Sequence, residues 1–184
     1  MIEVLVNGAA GRMGSEVVRS VMAEEGLEMA GAVDPGAAGK DLGEVVGCGH
    51  NGITIAPSLA EAFKVKKPDV VVDFTSPKVI YENAKFVLEN GVNMVIGTTG
   101  LTAAKTGANG LVAPNFSLGA VLLMKVSAEI SKYMPNAEII ELHHNHKYDA
   151  PSGTAKLTAE KMAAARTGAP EPDETKESLP GVRG

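Results

Sequence analysis

Val4-Leu5-Val6-Asn7-Gly8-Ala9-Ala10-Gly11-Arg12-Met13-Gly14, continued by Val17, Val18, Val21 and Met22, sets an apolar strand, a glycine turn and an amphipathic helix in immediate succession. The glycines recur at every third position, and small residues there let the backbone close on a diphosphate whose charge is met by free amides and the helix dipole. The spacing is GxxGxxG rather than the commoner GxGxxG, so the turn takes its meaning from a partner. Asp34 is that partner: it ends the next apolar run, 20 residues after Gly14, where an acid accepts hydrogen bonds from the hydroxyls of an adenosine ribose. Arg12 projects from the turn and is read as a phosphate contact. The competing reading is an ordinary strand-to-helix turn followed by a solvated aspartate.

Outward from this unit, short Val- and Ile-rich runs alternate with helical patterns, as βαβ units around a buried parallel sheet do. Strands are predicted near 2–7, 28–34, 53–56, 69–75, 93–98 and 110–114. Ser58 with Glu61 three residues on reads as a capping box, and Ser76-Pro77 as a helix start that Gly91 closes. Leu118, Val121, Leu122, Lys125, Val126, Ile130 and Met134 suit one long helix from Ser117 to Met134, after which a strand, Ala137 to His146, opens a second region. The expected division is a Rossmann-like, doubly wound α/β domain over 1–116 and a second, α+β domain over 117–184. The stretch 169–184, crowded with prolines and charges, is expected to be loop or disordered.

At 184 residues and 45% hydrophobic content the chain can bury a core. Its 17 Lys and Arg against 22 Asp and Glu leave a net charge of -5, which gives no footprint for nucleic acid or acidic lipid, so any bound anion must be held by local cations. No basic-then-apolar leader opens the sequence and no run reaches membrane-spanning length, so a cytoplasmic location is expected. Cys48, the one cysteine, allows neither an internal disulfide nor a thiolate zinc cage.

Three further segments fall where open α/β sheets bind ligands, beyond the C-terminal ends of strands: Asp73-Phe74-Thr75-Ser76, Gly97-Thr98-Thr99-Gly100 and Ala113-Pro114-Asn115-Phe116. Their hydroxyl and amide groups suit orientation of a nicotinamide and its carboxamide. The densest chemistry lies in Glu141-Leu142-His143-His144-Asn145-His146-Lys147-Tyr148-Asp149-Ala150-Pro151-Ser152-Gly153-Thr154-Ala155, which holds three of the four histidines beside a lysine. In an extended strand His143, Asn145 and Lys147 share one face, with His144 and His146 on the other. Ser152-Gly153-Thr154 begins a helix whose free amides are ready for a carboxylate. Imidazoles, an ammonium and a helix N-terminus so close together suit a dianionic substrate and a proton donor. No metal is expected, because His-His-x-His on alternating faces is poor ligand geometry and no thiolate or carboxylate spacing accompanies it.

Taken in order, Gly-Ala-Ala-Gly-Arg-Met-Gly, Asp-Phe-Thr, Gly-Thr-Thr-Gly, Ala-Pro-Asn-Phe-Ser and the histidine segment from Glu141 to Ala155 resemble the dihydrodipicolinate reductase family, from Ile2 to about Arg166. The resemblance implies reduction of a cyclic unsaturated dicarboxylate to tetrahydrodipicolinate in the diaminopimelate route to lysine, by a cytoplasmic homotetramer. It implies that Gly8, Ala9, Ala10, Gly11, Arg12, Met13, Asp34, Gly97, Thr98, Thr99, Ala113, Pro114, Asn115 and Phe116 hold NADH or NADPH. It assigns catalysis to His143 and Lys147, and the substrate carboxylates to His144, Gly153 and Thr154, beside Ser152. NADH is the expected preference, since Asp34 repels a 2′-phosphate and Pro35 stands where a phosphate-pairing arginine would.

Two departures accompany the resemblance. The family's helix before Ala113 has no room between Gly100 and Gly110, and the chain stops where the family continues with further strands and a last helix. The expected second domain is therefore incomplete as written. The reading adopted is that residues are omitted rather than deleted, since an internal deletion and a truncation together would expose large apolar surface. A dinucleotide-binding sensor without turnover is the alternative function, and it would have no need of His143 and Lys147 together. A sugar or amino-acid dehydrogenase of related architecture is disfavoured by the helix start at Ser152.

Overall fold

The computed structural model describes residues 1–98, 109–113, 115–145 and 150–168, with the single positions 172, 174, 176, 178 and 179. Two compact units divide at Pro114 and Asn115.

The first unit contains β1 (Ile2–Asn7), α1 (Arg12–Ala23), β2 (Leu27–Val33), α2 (Leu42–Val46), α3 (Leu59–Val65), β3 (Val70–Asp73), α4 (Ile80–Glu89), β4 (Asn93–Ile96) and β5 (Gly110–Val112). All five strands are parallel, in the order β2-β1-β3-β4-β5. Side-chain alternation builds a core on each face. Val4, Val6 and Ala32 pack with Val18 and Val21 of α1 and with Leu42 and Val46 of α2. Leu5, Val33, Val71 and Met94 pack with Leu59 of α3 and with Ile80, Ala84 and Val87 of α4. From β1 the chain moves outward to β2, then returns across the sheet to β3. The order therefore switches beyond the C-terminal ends of β1 and β3, where such sheets open a ligand crevice.

The expected strand at 53–56 reduces to two isolated bridges, a parallel one between Val33 and Ala56 and an antiparallel one between Asp41 and Thr54. Its hydrogen bonds are diverted: Leu42 N–H donates to Ile53 O at 2.8 Å and Ile55 N–H to Lys40 O at 2.9 Å, so the segment is folded back along 39–42. Asp41 anchors that fold by accepting from the amides of Glu44, Asn51 and Gly52. Burial works to raise its pKa, but those amides and nearby His50 outweigh it and hold the carboxyl below the ordinary aspartate value. Ser76-Pro77 opens a turn rather than the helix, which begins at Ile80 with Val79 as its cap residue. Ser58 caps α3 as expected, by accepting from Glu61 N–H, and Gly91 follows α4 at φ +71°.

The second unit contains α5 (Leu118–Ile130), capped by Ser117, and α6 (Gly153–Ala165), capped by Ser152. The two helices pack on each other, with Met124 and Met162 buried. The expected strand from Ala137 is not formed: residues 137–145 carry no sheet pairing. A strand needs another strand beside it, and among the described residues of this unit there is none. The inference that residues 169–184 form a loop falls largely outside the described residues.

The glycines of the first turn are set by contact. A Cβ on Gly14 would lie 1.9 Å from Gly8 O and 2.7 Å from Gly8 C, so α1 could not approach β1 as it does. Gly14→Ala should therefore destabilise the protein by roughly 1–3 kcal/mol, the usual range for overpacking. Gly31→Ala, whose Cβ would meet the Leu5 side chain at 3.6 Å from Cδ1 and 4.0 Å from Cγ, should be close to neutral. Urea unfolding of both variants checks this, and equal losses would contradict it.

Candidate functional site

In the first unit the turn Gly8–Gly11 leaves β1 with Gly8 at φ +81°, a conformation open to glycine at no steric cost. A Cβ there would strike Phe74 O at 2.5 Å, and one on Gly11 would press on Gly8 O at 3.2 Å. Gly8 and Ala9 donate to Val33 O at 2.8 and 3.1 Å, which clamps the turn onto the end of β2. Gly11 is the cap residue of α1 and has no side chain to satisfy the first amides of that helix. The N–H groups of Arg12 and Met13 thus lie in a first turn with no acceptor inside the helix. Asp34 stands beside them: its Oδ2 accepts from Ala10 N–H and its Oδ1 from Gly36 N–H, both at 3.0 Å. Each oxygen keeps a lone pair for a hydroxyl donor. A cradle that any Cβ would fill, open helix amides and an acid beside them form a donor set that fits a dinucleotide.

Beyond β1, β3 and β4 lies a second cluster, built on the segments Asp73-Phe74-Thr75-Ser76 and Gly97-Thr98 that the sequence marks as ligand-binding loops; the part Asp73 plays in it is not foreseen there. Asp73 is fully buried. Its Oδ2 accepts from Asn7 Nδ2 at 2.7 Å and Asn83 Nδ2 at 3.0 Å. Its Oδ1 accepts from Thr75 N–H at 3.0 Å, the Thr75 hydroxyl at 2.7 Å and the Thr98 hydroxyl at 2.8 Å. The Thr98 oxygen in turn accepts from Thr75 N–H at 2.8 Å. Gly97 is again forced by contact, because a Cβ there would stand 2.2 Å from the Phe74 ring. Ala113 donates its amide to Ile96 O at 2.9 Å at the end of the sheet. The sequence signal for the buried role of Asp73 is an acid closing the apolar run Val70-Val71-Val72.

In the second unit the start of α6 is tied down from two directions. Ser152 accepts from Ala155 N–H at 3.1 Å, while its own N–H donates to Glu141 Oε1 at 2.9 Å. Thr154 Oγ1 accepts from Asn115 Nδ2 at 2.9 Å, and Asn115 Oδ1 receives Ser117 N–H at 2.7 Å, which binds the start of α5 to the start of α6. His143 Nδ1 stands 4.0 Å from Glu141 Oε2. Glu141 thus anchors the helix start through Oε1 while its Oε2 faces His143 at more than hydrogen-bond distance, a role its place in the sequence did not reveal. His143 and His144 are exposed, as is Phe116. Without a strand at 137–145 the alternation argued for these histidines has no structural basis. Lys147, His146, Thr99 and Pro114 lie outside the described residues. Among the described residues no three metal-binding side chains gather, and no helix is long and apolar enough to cross a membrane.

Family models for the N-terminal and C-terminal parts of dihydrodipicolinate reductase match residues 2–113 and 119–183. The chain belongs to the dihydrodipicolinate reductase family. A 4-hydroxy-tetrahydrodipicolinate reductase from Listeria welshimeri is 47% identical over 178 residues, covering 90% of this chain and 67% of that protein. One from Moorella thermoacetica is 44% identical across 100% of this chain and 72% of its own. The chain thus spans about two thirds of the length of its Listeria relatives. Among solved structures, the dipicolinate-bound dihydrodipicolinate reductase from Paenisporosarcina sp. TG-14 is 36% identical, with TM-score 0.73, covering 100% of this chain and 74% of that one. A Rex-family repressor matches with TM-score 0.53 at 13% identity, which is likeness of fold alone.

For this member of the dihydrodipicolinate reductase family, the cap at Ser152 gives a stability prediction. Ser152→Ala leaves Ala155 N–H without its acceptor and should cost about 1 kcal/mol. Ser152→Thr should cost less. Denaturant unfolding followed by far-ultraviolet circular dichroism measures both, and a neutral alanine variant would show that the cap is dispensable.

Proposed function

We propose that this chain reduces 4-hydroxy-tetrahydrodipicolinate to tetrahydrodipicolinate with NADH or NADPH, as its family does. The reading is carried by the glycine cradle and Asp34 at the switch point of a sheet whose chain matches both parts of the reductase family. When bound, the dinucleotide supplies a hydride. Gly8 to Met13 hold its diphosphate, Asp34 its adenosine ribose, and Gly97 to Thr99 with Ala113 to Phe116 its nicotinamide half. His144 and the amides of Gly153 and Thr154 take the substrate's carboxylates, supported by Ser152, whose cap keeps that helix start in place. The Paenisporosarcina relative is described as dipicolinate-bound, which is consistent with a flat dianion as ligand. Lys147 gives a proton to the carbon skeleton and His143 assists from the same segment. A sensor without turnover would leave that pair without a task. We place the protein in the cytoplasm as a homotetramer, by likeness to the family.

Asp34 carries negative charge where NADPH bears a 2′-phosphate, and Pro35 offers no cation beside it. Both cofactors should bind, with NADH tighter. Titration of each in one buffer decides, and clearly tighter NADPH would overturn the preference.

Lys147→Ala should lower kcat by roughly 10²–10⁴ while NADH affinity holds, the range for a lost general acid. Lys147→Arg should not restore turnover, because a guanidinium keeps the charge but stays protonated. His144→Ala should act mainly through KM. Steady-state kinetics of the three variants tests the assignment, and near-normal kcat in Lys147→Arg would reduce that residue to an electrostatic anchor.

A further inference from the structure

Asp73 takes no part in the chemistry described above, yet it is the most fully satisfied side chain at the crevice. Its position at the end of β3 brings Asn7 of β1, Asn83 of α4 and Thr98 beyond β4 onto one carboxylate. A carboxylate only accepts, so both threonine hydroxyls must turn their protons toward it. For Thr98, which is buried, the oxygen also receives Thr75 N–H. Thr75 is only half-buried, and its oxygen receives Asn83 Nδ2 at 3.3 Å, which leaves acceptor capacity and no proton to offer. Its Cγ2 lies 3.4 Å from where a Cβ on Gly8 would stand, so Thr75 sits between the glycine turn and Gly97-Thr98.

We propose that Asp73 sets the hydrogen-bond polarity of this crevice, making Thr75 an obligate acceptor for a donor of the nicotinamide nucleoside, either a ribose hydroxyl or the carboxamide N–H. The inference rests on the dinucleotide reading above and deepens it. Asp73 is a positioning residue that acts through Thr75, and Thr75 is the residue that touches the ligand. The diphosphate, which brings acceptors and no donors, is held by the amides of the glycine turn instead. Donors and acceptors are thereby sorted along the crevice: N–H groups toward the phosphates, a bare hydroxyl oxygen toward the nucleoside.

ADP, ADP-ribose and NADH are titrated by calorimetry against the parent protein and against Thr75→Val, Thr75→Ser and Asp73→Asn. Loss of one acceptor in Thr75→Val should weaken NADH by roughly threefold to tenfold, leave ADP unchanged, and be restored in Thr75→Ser. ADP-ribose sharing the loss assigns the contact to the ribose hydroxyls; ADP-ribose escaping it assigns the carboxamide. Asp73→Asn turns a donor amide toward donors and should weaken NADH more than ADP, with a lower melting temperature. Should that variant fail to fold, the threonine pair still decides. NADH binding unchanged in Thr75→Val, or ADP weakened as much as NADH, overturns the proposal while the dinucleotide reading stands. A parent protein that binds neither ADP nor NADH overturns both.

Discussion

The ends of β1, β3 and β4 are held at their mutual positions by the side chain of Asp73. A carboxylate sealed from water costs several kcal/mol unless its oxygens are satisfied, so the groups around it must all be present and correctly aimed. Each hydrogen bond returns only about 1 kcal/mol net, so the cluster adds little to stability and much to geometry. Two asparagines and two threonines are pinned to one point, and the loops that carry the two threonines form the rim of the crevice. Leu5, Val6 and Val71, which precede Asn7 and Asp73 along β1 and β3, are fully buried, so the carboxylate itself is closed off from solvent.

Phe74 continues the same constraint. Its carbonyl faces Gly8 and its ring faces Gly97, each so near that a Cβ could not be fitted. The glycine turn and the loop beyond β4 therefore close on one residue from opposite sides. Gly14 repeats the principle one helical turn later, where α1 is drawn onto the Gly8 carbonyl. Three glycines spaced for a diphosphate are thus also three close contacts of backbone with backbone. The spacing differs from the usual dinucleotide motif, but the tight turn, the close approach and the helix packing are all served.

The parallel sheet was legible because strands buried on both faces read as unbroken apolar runs, and five of the six expected strands in the first unit formed within a few residues of their expected ends. Thr54 to Ala56 looked the same in sequence, but it shares its amides with the loop that Asp41 organises, a competition no local pattern reveals. The segment after Ala137 failed for a different reason: alternation states a preference for pairing and says nothing of a partner. At the site, Gly8, Asp34 and Ser152 were readable because their meaning lies in spacing along the chain. Asp73, Glu141 and Asn115 lie in segments that were also marked, but what each side chain holds was not readable, since their partners stand 66, 11 and 39 residues away. Lys147 was picked out by strand alternation and by resemblance to the family, and it lies outside the described residues.

Three carboxylates show how burial divides the work of one functional group. Asp34, half-buried, accepts two amides and keeps lone pairs open to a ligand's hydroxyls. Asp73, fully buried, spends its oxygens inside the protein, so it shapes the crevice only through the groups it holds. Glu141 lies between these cases, with one oxygen on the amide that opens α6 and the other toward His143. At Asp34 and at Asp73 the carboxylate faces N–H and O–H donors. A positive partner would have neutralised it, whereas N–H and O–H donors leave the charge in place and fix its direction. Asp34 follows the end of β2 and Asp73 closes β3, so the hydrogen bonds of both act at the crevice that these strand ends open.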